Sequence, residues 1–309
     1  RISKVGLKFS SIVLKIDGLS MDLTSMRKDL NSDGRWANTK YTNEILEDAG
    51  RRDFTINSIY CDTSGKIYDP FNGIKDLTSS KVKFIGSAEK RIKEDYLRIL
   101  RFLRFSYCYS DDLDKEGANA CRKLMGKIKK LSFERIIQEL EKTLVLDSVK
   151  KKKVIKNLSP FIQTAIGTEI CSDRFNFLCN LEQALEDVSF VRRLKFLIRK
   201  SKKSNIQILN KINSKIKKRI LTKIALPKSS NKELNFFFYN NSKDLIVDQL
   251  IEDFSDRKIS KKKFLKLMEI NRIFKKKQFP INGNDLIKIG LKKGKKIGTH
   301  LGFWPNGSL

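Results

Sequence analysis

The segment EDYLRILRFLRF, residues 94–105, has the hydrophobic periodicity of an amphipathic helix. Its apolar stripe begins two positions upstream, at Ile92, and continues with Tyr96, Leu97, Leu100 and Leu103. A neighbouring stripe carries one carboxylate and three guanidiniums at three-residue intervals, on Asp95, Arg98, Arg101 and Arg104. The spacing therefore predicts a single helix with these four charged groups on one connected face.

Spacing alone leaves two interpretations of this charged face open. In the first, the face is solvated and ion-paired, because helical neighbours such as Glu94 and Arg98 form weak pairs on many surfaces. In the second, the face selects nucleobases. Cytosine and adenine place an amine donor beside a ring-nitrogen acceptor, so Asp95 would accept and Arg98 would donate, whereas uracil and guanine present the reverse order. Arg101 and Arg104 would then remain for phosphates.

The charge of the chain indicates a polyanionic partner. The 309 residues include 65 Lys and Arg against 35 Asp and Glu, which gives a formal net charge of +30. A lysine-rich composition can reflect codon bias alone, but clustering of the lysines favours nucleic acid. One such cluster, predicted to bind RNA, consists of Lys150, Lys151, Lys152 and Lys153. A chain of this length can bury a substantial core and is expected to hold two or more modules.

Cysteine and histidine content restricts the chemistry. The five cysteines form no Cys-x-x-Cys pair; they are Cys61, Cys108, Cys121, Cys171 and Cys179. This pattern argues against a zinc site and a secreted disulfide framework, and it predicts a reducing, cytoplasmic compartment. His300 is the only histidine. A Ser-His-Asp triad is therefore improbable, and catalysis is expected to rest on carboxylates.

A β-hairpin is predicted near the beginning of the chain. Residues 11–16 and 19–26 flank Asp17 and Gly18, the dipeptide that twisted hairpins favour in their turns. Asp22 lies in the second of these strands. It is either a solvent-facing strand residue or a carboxylate of a metal site.

Further turns and a short helix are expected between the hairpin and residue 79. Residues 27–47 are polar and predict a loop, whereas residues 48–57 predict a short helix. A second hairpin is expected to turn at Ser64 and Gly65.

Two arginines precede an aspartate in the predicted short helix, at Arg51, Arg52 and Asp53. They suit simple ion pairing. At a helix entrance, two arginines also suit a triphosphate.

From residue 88 onward the periodicity is almost wholly helical. The helical segments are expected at residues 132–146, 175–185, 190–198, 206–226, 244–254 and 261–274. Basic helices of this kind predict an elongated surface that follows a phosphate backbone. The aromatic run at residues 236–239 is predicted to be core, and residues 280–298 are predicted to form a basic turn-helix element.

Five motifs together resemble the class II nucleotidyltransferases, which include the bacterial CCA-adding tRNA nucleotidyltransferases and their poly(A) polymerase relatives. The motifs are MDLTSMR at 21–27, RRDFTIN at 51–57, DPFNGIKDL at 69–77, EDYLRILRFLRF at 94–105 and SFERIIQELEK at 132–142. Their order and separations make the likeness specific over about the first half of the chain. The segment at 280–298 also resembles the tail of that family.

The resemblance implies an α+β fold. Residues 1–79 would form a small mixed α/β catalytic head, incomplete in this chain, and residues 80–158 an all-α neck that selects the base and binds RNA. Residues 159–309 would form a helical body and tail that bind tRNA and are truncated at the C-terminus. The reaction implied is attack of an RNA 3′-hydroxyl on the α-phosphate of CTP or ATP, with pyrophosphate leaving and two Mg²⁺ ions assisting.

The resemblance also assigns roles to single residues. The nucleotide-binding residues would be Arg52, Asp95, Arg98, Arg101 and Arg104, with Asp95 and Arg98 presenting a template to the base. Further motif residues are Arg51, Asp53, Asn57 and Glu94. Asp22 falls where the family places a third acidic residue, usually Glu, near the metal ions, so it is the candidate catalytic residue.

The sequence also departs from the family pattern. A glycine-rich segment and an Asp-x-Asp strand supply the main metal ligands in the family, and neither occurs upstream of residues 6–11, which resemble the segment after them. Asp22 is then the remaining candidate ligand. We expect the chain to be truncated at its N-terminus and inactive by itself, while its complete parent is an enzyme.

The function predicted for the complete parent is the addition of C and A from CTP and ATP to the 3′ end of tRNA. Poly(A) polymerase activity, CC-only addition and A-only addition stay open as alternatives within the same class. A non-catalytic RNA-binding derivative of the fold is the alternative from a different class.

Overall fold

The computed structural model describes residues 2–3, 11–33, 36–146, 152–167, 175–199, 207–227, 230–276 and 287–290. It divides into two compact units, Arg1–Ile212 and Asn213–Leu309. All the described strands lie within residues 2–68, and helices dominate the chain from residue 73 onward, so the predicted α+β class is confirmed. No helix in the described ranges is both long enough and apolar enough to cross a membrane.

The first sheet contains the predicted hairpin. Strands β1 (Ile2–Ser3), β2 (Ser11–Ile16) and β3 (Leu19–Thr24) pair antiparallel in that order. The turn between β2 and β3 has positive φ angles at both central residues, 48° at Asp17 and 81° at Gly18. Positive φ at both central residues is typical of a type I′ turn, whose twist matches that of the flanking strands. Asp and Gly adopt these angles readily, which explains why the Asp-Gly dipeptide predicts a hairpin.

A second hairpin occupies part of the segment that was predicted to be a loop. Strands β4 (Arg27–Asp33) and β5 (Trp36–Tyr41) pair antiparallel, so the loop prediction is wrong for these residues. Their side chains show little apolar alternation, and strand pairing through the backbone leaves no signal in such a sequence. A third ladder joins β6 (Tyr60–Cys61) and β7 (Ile67–Tyr68) across the predicted turn.

Helices make up most of the remainder of the first unit. They are α1 (Ile45–Gly50), α2 (Gly73–Thr78), α3 (Ala88–Glu94), α4 (Leu97–Tyr109), α5 (Lys115–Leu124), α6 (Phe133–Leu144), α7 (Lys152–Ile166), α8 (Phe175–Ala184) and α9 (Phe190–Ile198). The helices predicted around residues 132–146, 175–185 and 190–198 are thus confirmed as α6, α8 and α9. Short 3₁₀ turns lie at Thr55–Asn57, Met125–Lys130 and Gln207–Asn210.

The single helix predicted over residues 94–105 is wrong at its beginning. Helix α3 ends at Glu94 and α4 begins at Leu97, because Asp95 has an extended backbone with φ −152° and ψ 109°. One carboxylate oxygen of Asp95 accepts a hydrogen bond from the Leu97 N–H at 3.0 Å. That N–H lies in the first turn of α4 and has no partner within the helix, so Asp95 stabilises the new helix start.

An aromatic cluster forms the core around the start of the motif region. The rings of Phe54 and Phe84 lie 4.9 Å apart between centroids, and those of Phe84 and Phe102 lie 5.2 Å apart and stacked. Phe54 and Phe102 are fully buried. Since Phe54 follows the RRD sequence and Phe102 lies in α4, this cluster fixes the two motifs against each other.

The second unit is helical where the structure describes it. Its helices are α10 (Ser214–Leu221), α11 (Asn231–Asn240), α12 (Lys243–Ser255) and α13 (Lys261–Ile273). Phe237 and Phe238 are buried, which confirms the core prediction for these two residues of the run, whereas Phe236 is 49% exposed and the prediction is wrong there. The basic element predicted at 280–298 lies outside the described residues except at 287–290.

Gly73, the first residue of α2, gives a direct test of the packing between α2 and the segment after Phe54. A Cβ atom at Gly73 would lie 2.3 Å from the carbonyl oxygen of Thr55, which is backbone and cannot rotate away. We expect Gly73→Ala to lower the free energy of unfolding by about 1–3 kcal/mol, measured by urea denaturation.

Gly126→Ala is the matched control, because a Cβ there meets nothing within 4 Å. We expect this control to be neutral or slightly stabilising. Equal effects of the two substitutions would contradict the close approach at Gly73.

Candidate nucleotide-binding site

The two arginines of the RRD sequence follow the end of α1. Arg51 is the C-cap residue, so the expectation that these arginines stand at a helix entrance is wrong. Both approach the buried carboxylate of Asp48: Arg52 Nη2 lies 2.8 Å from Oδ2, and Arg51 Nη1 lies 3.9 Å from Oδ1. The Arg52 side chain is 41% exposed, which leaves part of its guanidinium open to solvent.

Asp48 holds the two arginines of the RRD sequence in place, and the sequence analysis did not identify it. Besides Arg52, it accepts a hydrogen bond from the Tyr60 hydroxyl at 2.7 Å and from the Arg27 N–H at 3.1 Å. Burial alone would raise the pKa of Asp48, but the hydrogen bonds from Arg52 and Tyr60 outweigh it and lower the pKa. Burial and the bond to Asp48 raise the pKa of Tyr60 to about 12, so Tyr60 stays a neutral donor at physiological pH.

Asp53 and Arg101 join the RRD segment to α4. Arg101 Nε donates to Asp53 Oδ2 at 2.5 Å, while Oδ1 accepts from the Asn57 side chain at 2.9 Å and from the Phe54 N–H at 3.1 Å. Burial would raise the pKa of Asp53, but the hydrogen bond and charge of Arg101 outweigh it, so the pKa lies below its ordinary value. Asp53 is therefore ionised and fully engaged at neutral pH.

Arg98 contacts α3 and the chain after α1. Its Nη1 donates to the Glu94 carboxylate and to the carbonyl of Arg91 at 2.8 Å. Arg91 in turn donates from Nη2 to the carbonyl of Gly50 at 2.9 Å and to the carbonyl of Arg52. Glu94, Arg98 and the backbone of the RRD segment thus belong to one connected network.

Asp95 pairs with a residue that is distant in sequence. Its second carboxylate oxygen accepts from Arg135 Nη2 of α6 at 2.7 Å. The Asp95 and Arg135 side chains are 23% and 26% exposed, so solvent reaches this pair. The backbone N–H of Arg98 donates to the carbonyl of Asp95 at 3.0 Å, which places the two predicted base-reading residues one turn apart at the start of α4.

Arg101 and Arg104 were expected to remain for phosphates, and the structure pairs both with buried carboxylates. Arg104 Nε donates to Glu139 of α6, as Arg101 does to Asp53. The Arg104 guanidinium also lies over the Phe105 ring, 4.3 Å from its centroid. Each pair uses the Nε donor, and an arginine carries four further N–H donors.

Arg135 and Glu139 are functional candidates that periodicity analysis did not single out. Both lie in the motif SFERIIQELEK, whose helical spacing places them one turn apart on α6. The charges of Asp53, Glu139 and Asp95 all act on Arg101 and, against the effect of its burial, raise the pKa of that arginine. The carboxylates and guanidiniums around the start of α4 therefore form a single electrostatic site.

Asp22 lies apart from this network. It stands on the exposed strand β3 and pairs in register with Val13 of β2. Within the described part of the chain, no three His, Cys, Asp or Glu residues are grouped as metal ligands would be. Lys150 and Lys151 lie outside the described residues, and the side chains of Lys152 and Lys153 are not described.

Comparison with known proteins decides the family. The mouse mitochondrial CCA tRNA nucleotidyltransferase 1 is 30% identical over 323 residues, which cover 97% of this chain and 71% of that protein. The chain belongs to the CCA-adding tRNA nucleotidyltransferases. This match confirms the resemblance that the five motifs indicated. It extends beyond the motifs to 97% of the chain. The profile described as the Poly A polymerase head domain matches residues 1–83.

Solved structures show that the whole fold is shared with this family. The Bacillus stearothermophilus CCA-adding enzyme in complex with CTP matches 98% of this chain and 77% of its own, with a TM-score of 0.70 and 20% identity. A tRNA nucleotidyltransferase complexed with a primer tRNA and an incoming ATP analogue matches 88% of this chain and 84% of its own, with a TM-score of 0.65 and 18% identity.

The Asp53–Arg101 pair predicts a specific pH dependence of stability. Because the pKa of Asp53 is below its ordinary 3.8 in the folded protein, its contribution is present above pH 3.8 and is lost as the pH falls through the folded pKa. We expect Asp53→Asn to lower the free energy of unfolding at pH 7 by about 3 kcal/mol. We also expect a shallower loss of stability below pH 3.8, measured by urea denaturation from pH 7 to pH 2.5.

Asp111→Asn is the control, since Asp111 is an exposed carboxylate of the same unit. Its stability curve is expected to follow that of the wild type. If the unfolding free energy of Asp53→Asn ran parallel to that of the wild type at every pH, the lowered pKa of Asp53 would not be the source of the pH dependence.

Proposed function

We propose that this protein adds C and A nucleotides from CTP and ATP to the 3′ end of tRNA. The observation that carries the proposal is the placement of Asp95 and Arg98 one turn apart at the start of α4, with arginines continuing along the helix. The mouse relative is named for CCA addition, and the two structural neighbours hold CTP, or a primer tRNA with an ATP analogue.

Base choice follows from hydrogen-bond polarity. Asp95 accepts hydrogen bonds and Arg98 donates them, which complements the amine and the ring nitrogen of both cytosine and adenine. Uracil and guanine would place a carbonyl oxygen against Asp95 and an N–H against Arg98. An acceptor would then face the acceptor Asp95, and a donor would face the donor Arg98, so the binding of uracil and guanine is disfavoured.

Phosphate binding is proposed for the arginines around this pair. Among the ion-paired arginines described in this site, Arg52 has the most exposed side chain, at 41%. It pairs with Asp48, as Arg51 does. Arg101 and Arg104 keep further N–H donors beyond their Nε bonds. A triphosphate would therefore meet guanidiniums whose orientation is already set by buried carboxylates, which reduces the entropy lost on binding.

Mg²⁺ is proposed as the cofactor because the resemblance implies a two-metal reaction. The described residues of this chain do not make such a site: Asp22 is an exposed carboxylate opposite Val13, without a second acidic side chain beside it in the β2–β3 register.

The predicted domain boundaries and compartment are also proposals. We assign residues 1–79 to the head, 80–158 to the neck, and 159–309 to the body and tail. The strands of the described residues all lie within residues 1–79, which supports the assignment of this range to the head. A cytoplasmic location is proposed from the cysteine usage, although the mouse relative is named as mitochondrial.

Two other functions have an observation in their favour. Poly(A) polymerase activity is suggested by the description of the matching head profile. A non-catalytic RNA-binding role is suggested by the lack of a grouped set of acidic ligands among the described residues. The experiment that follows separates all three.

The test uses a tRNA transcript that lacks its 3′ CCA, with Mg²⁺ and with ATP alone, CTP alone or both. It is run on this chain and, where a longer natural form exists, on that form as well. We expect addition of CC with CTP and a stop at CCA with both nucleotides. A long ladder with ATP alone would indicate a poly(A) polymerase, and no addition by any form would indicate an RNA-binding derivative.

Asp95→Ala in the same assay tests the base template. Loss of the acceptor should reduce C and A incorporation by tenfold or more, at about 1.5–3 kcal/mol for a hydrogen bond to a charged group. Incorporation of U should become measurable. Unchanged nucleotide selectivity in a folded Asp95→Ala protein would refute the role of Asp95.

RNA binding by the lysine cluster is tested by salt dependence. Replacing Lys150, Lys151, Lys152 and Lys153 together with glutamine should weaken tRNA binding at low salt. The slope of log K against log salt should fall by about one for each phosphate contact that is lost. A slope equal to that of the wild type would exclude phosphate contacts by these four residues.

A further inference from the structure

The geometry assigns to Arg135 of α6 the role of a positioning residue for nucleobase choice. Arg135 sets the orientation of the Asp95 carboxylate, and it acts through Asp95 without needing to contact the base. This inference rests on the proposed function, since it presumes that Asp95 reads the base. It adds to the site a residue that lies 40 positions away from Asp95 in the chain.

Two contacts determine how the Asp95 carboxylate is oriented. The Leu97 N–H at 3.0 Å fixes one oxygen, and Arg135 Nη2 at 2.7 Å fixes the other. Asp95 itself lies in extended backbone between two helices. The bond to Leu97 holds only one of the two carboxylate oxygens, so by itself it leaves the plane of the carboxylate free to turn. Arg135 removes this freedom.

The pair is arranged so that a ligand can still reach it. Both side chains are about one quarter exposed, and each carboxylate oxygen has two lone pairs. An oxygen that accepts one hydrogen bond from Arg135 can thus accept another from the amine of cytosine or adenine. Holding the acceptor in place before the base arrives favours the base that needs an acceptor there.

Helix α6 has other anchors, so removal of Arg135 should leave it in place. Glu139, one turn further along, pairs with Arg104 of α4. The apolar side of the helix contributes Ile136, Leu140 and Leu144, all buried. The Asp95–Arg135 pair is only partly buried, and pairs of that kind contribute little to stability. A selectivity function is therefore a better account of Arg135 than a folding function.

The test measures dissociation constants of CTP, ATP, UTP and GTP for the 309-residue chain by isothermal titration calorimetry. We expect Arg135→Ala to reduce the preference for CTP over UTP, and for ATP over GTP, by about tenfold. Arg135→Lys, which keeps a charged donor, should restore part of the preference. Arg122→Ala is the matched control, because Arg122 is an exposed arginine whose Nη1 bonds to Asn119 on its own helix.

A double substitution shows whether Arg135 acts through Asp95. Once Asp95→Asn has removed the charged acceptor, adding Arg135→Ala should cause no further loss of preference. Independent, additive losses would overturn the inference. If Arg135→Ala does not fold, Arg135→Gln keeps most of the side-chain stem and gives the same comparison.

The outcomes separate this inference from the proposed function. A wild-type chain without any preference among the four nucleotides contradicts the proposed base selection itself. A wild-type preference that survives unchanged in folded Arg135→Ala overturns the role of Arg135 alone. An equal loss of affinity for all four nucleotides, at unchanged ratios, also overturns it, because that is the result expected from a merely structural contact.

Discussion

Asp53 and Arg101 form the ion pair on which the arrangement of the candidate site depends. Asp53 is buried, and its two oxygens are engaged by Arg101, by the side chain of Asn57 and by the N–H of Phe54. The pair joins the RRD segment to α4 across 48 positions of sequence. Breaking it would leave a buried carboxylate without its countercharge, which is far more costly than losing an exposed pair. The aromatic contacts of Phe54 fix the same two segments from the apolar side.

The candidate site is a set of arginines whose positive charges are balanced by buried carboxylates. Asp48, Asp53 and Glu139 are buried, and each pairs with an arginine of the candidate site. Without these carboxylates, closely spaced guanidiniums would repel one another. With them, the arginines hold defined orientations in the absence of a ligand. The buried carboxylates thus offset the repulsion between the arginines, so the folded protein can carry this concentration of positive charge.

Helix α6 is anchored at its C-terminus by a buried arginine. Arg193 of α9 donates from Nη1 to the carbonyls of Leu144 and Leu146 at the C-terminus of α6, the latter at 2.7 Å. A cation at that end also interacts favourably with the helix dipole. Arg193 itself is fixed by the fully buried Glu182 of α8 at 2.5 Å. Through α6, this buried cluster supports the residues that contact Asp95 and Arg104.

The sequence by itself determined the two hairpin turns that Asp17-Gly18 and Ser64-Gly65 mark, most of the helices and the family. Turn dipeptides, helical periodicity and ordered motifs are local signals, so they can be read without a fold. The partners of the charged residues could not be read in this way. Arg135 meets Asp95 and Glu139 meets Arg104 because α6 packs beside α4, and local spacing carries no information about that packing. The polar strands β4 and β5 likewise depend on backbone hydrogen bonds between the two strands, which only the tertiary structure decides. At the break between α3 and α4, the Asp95 carboxylate accepts from the Leu97 N–H and from Arg135 of the distant helix α6.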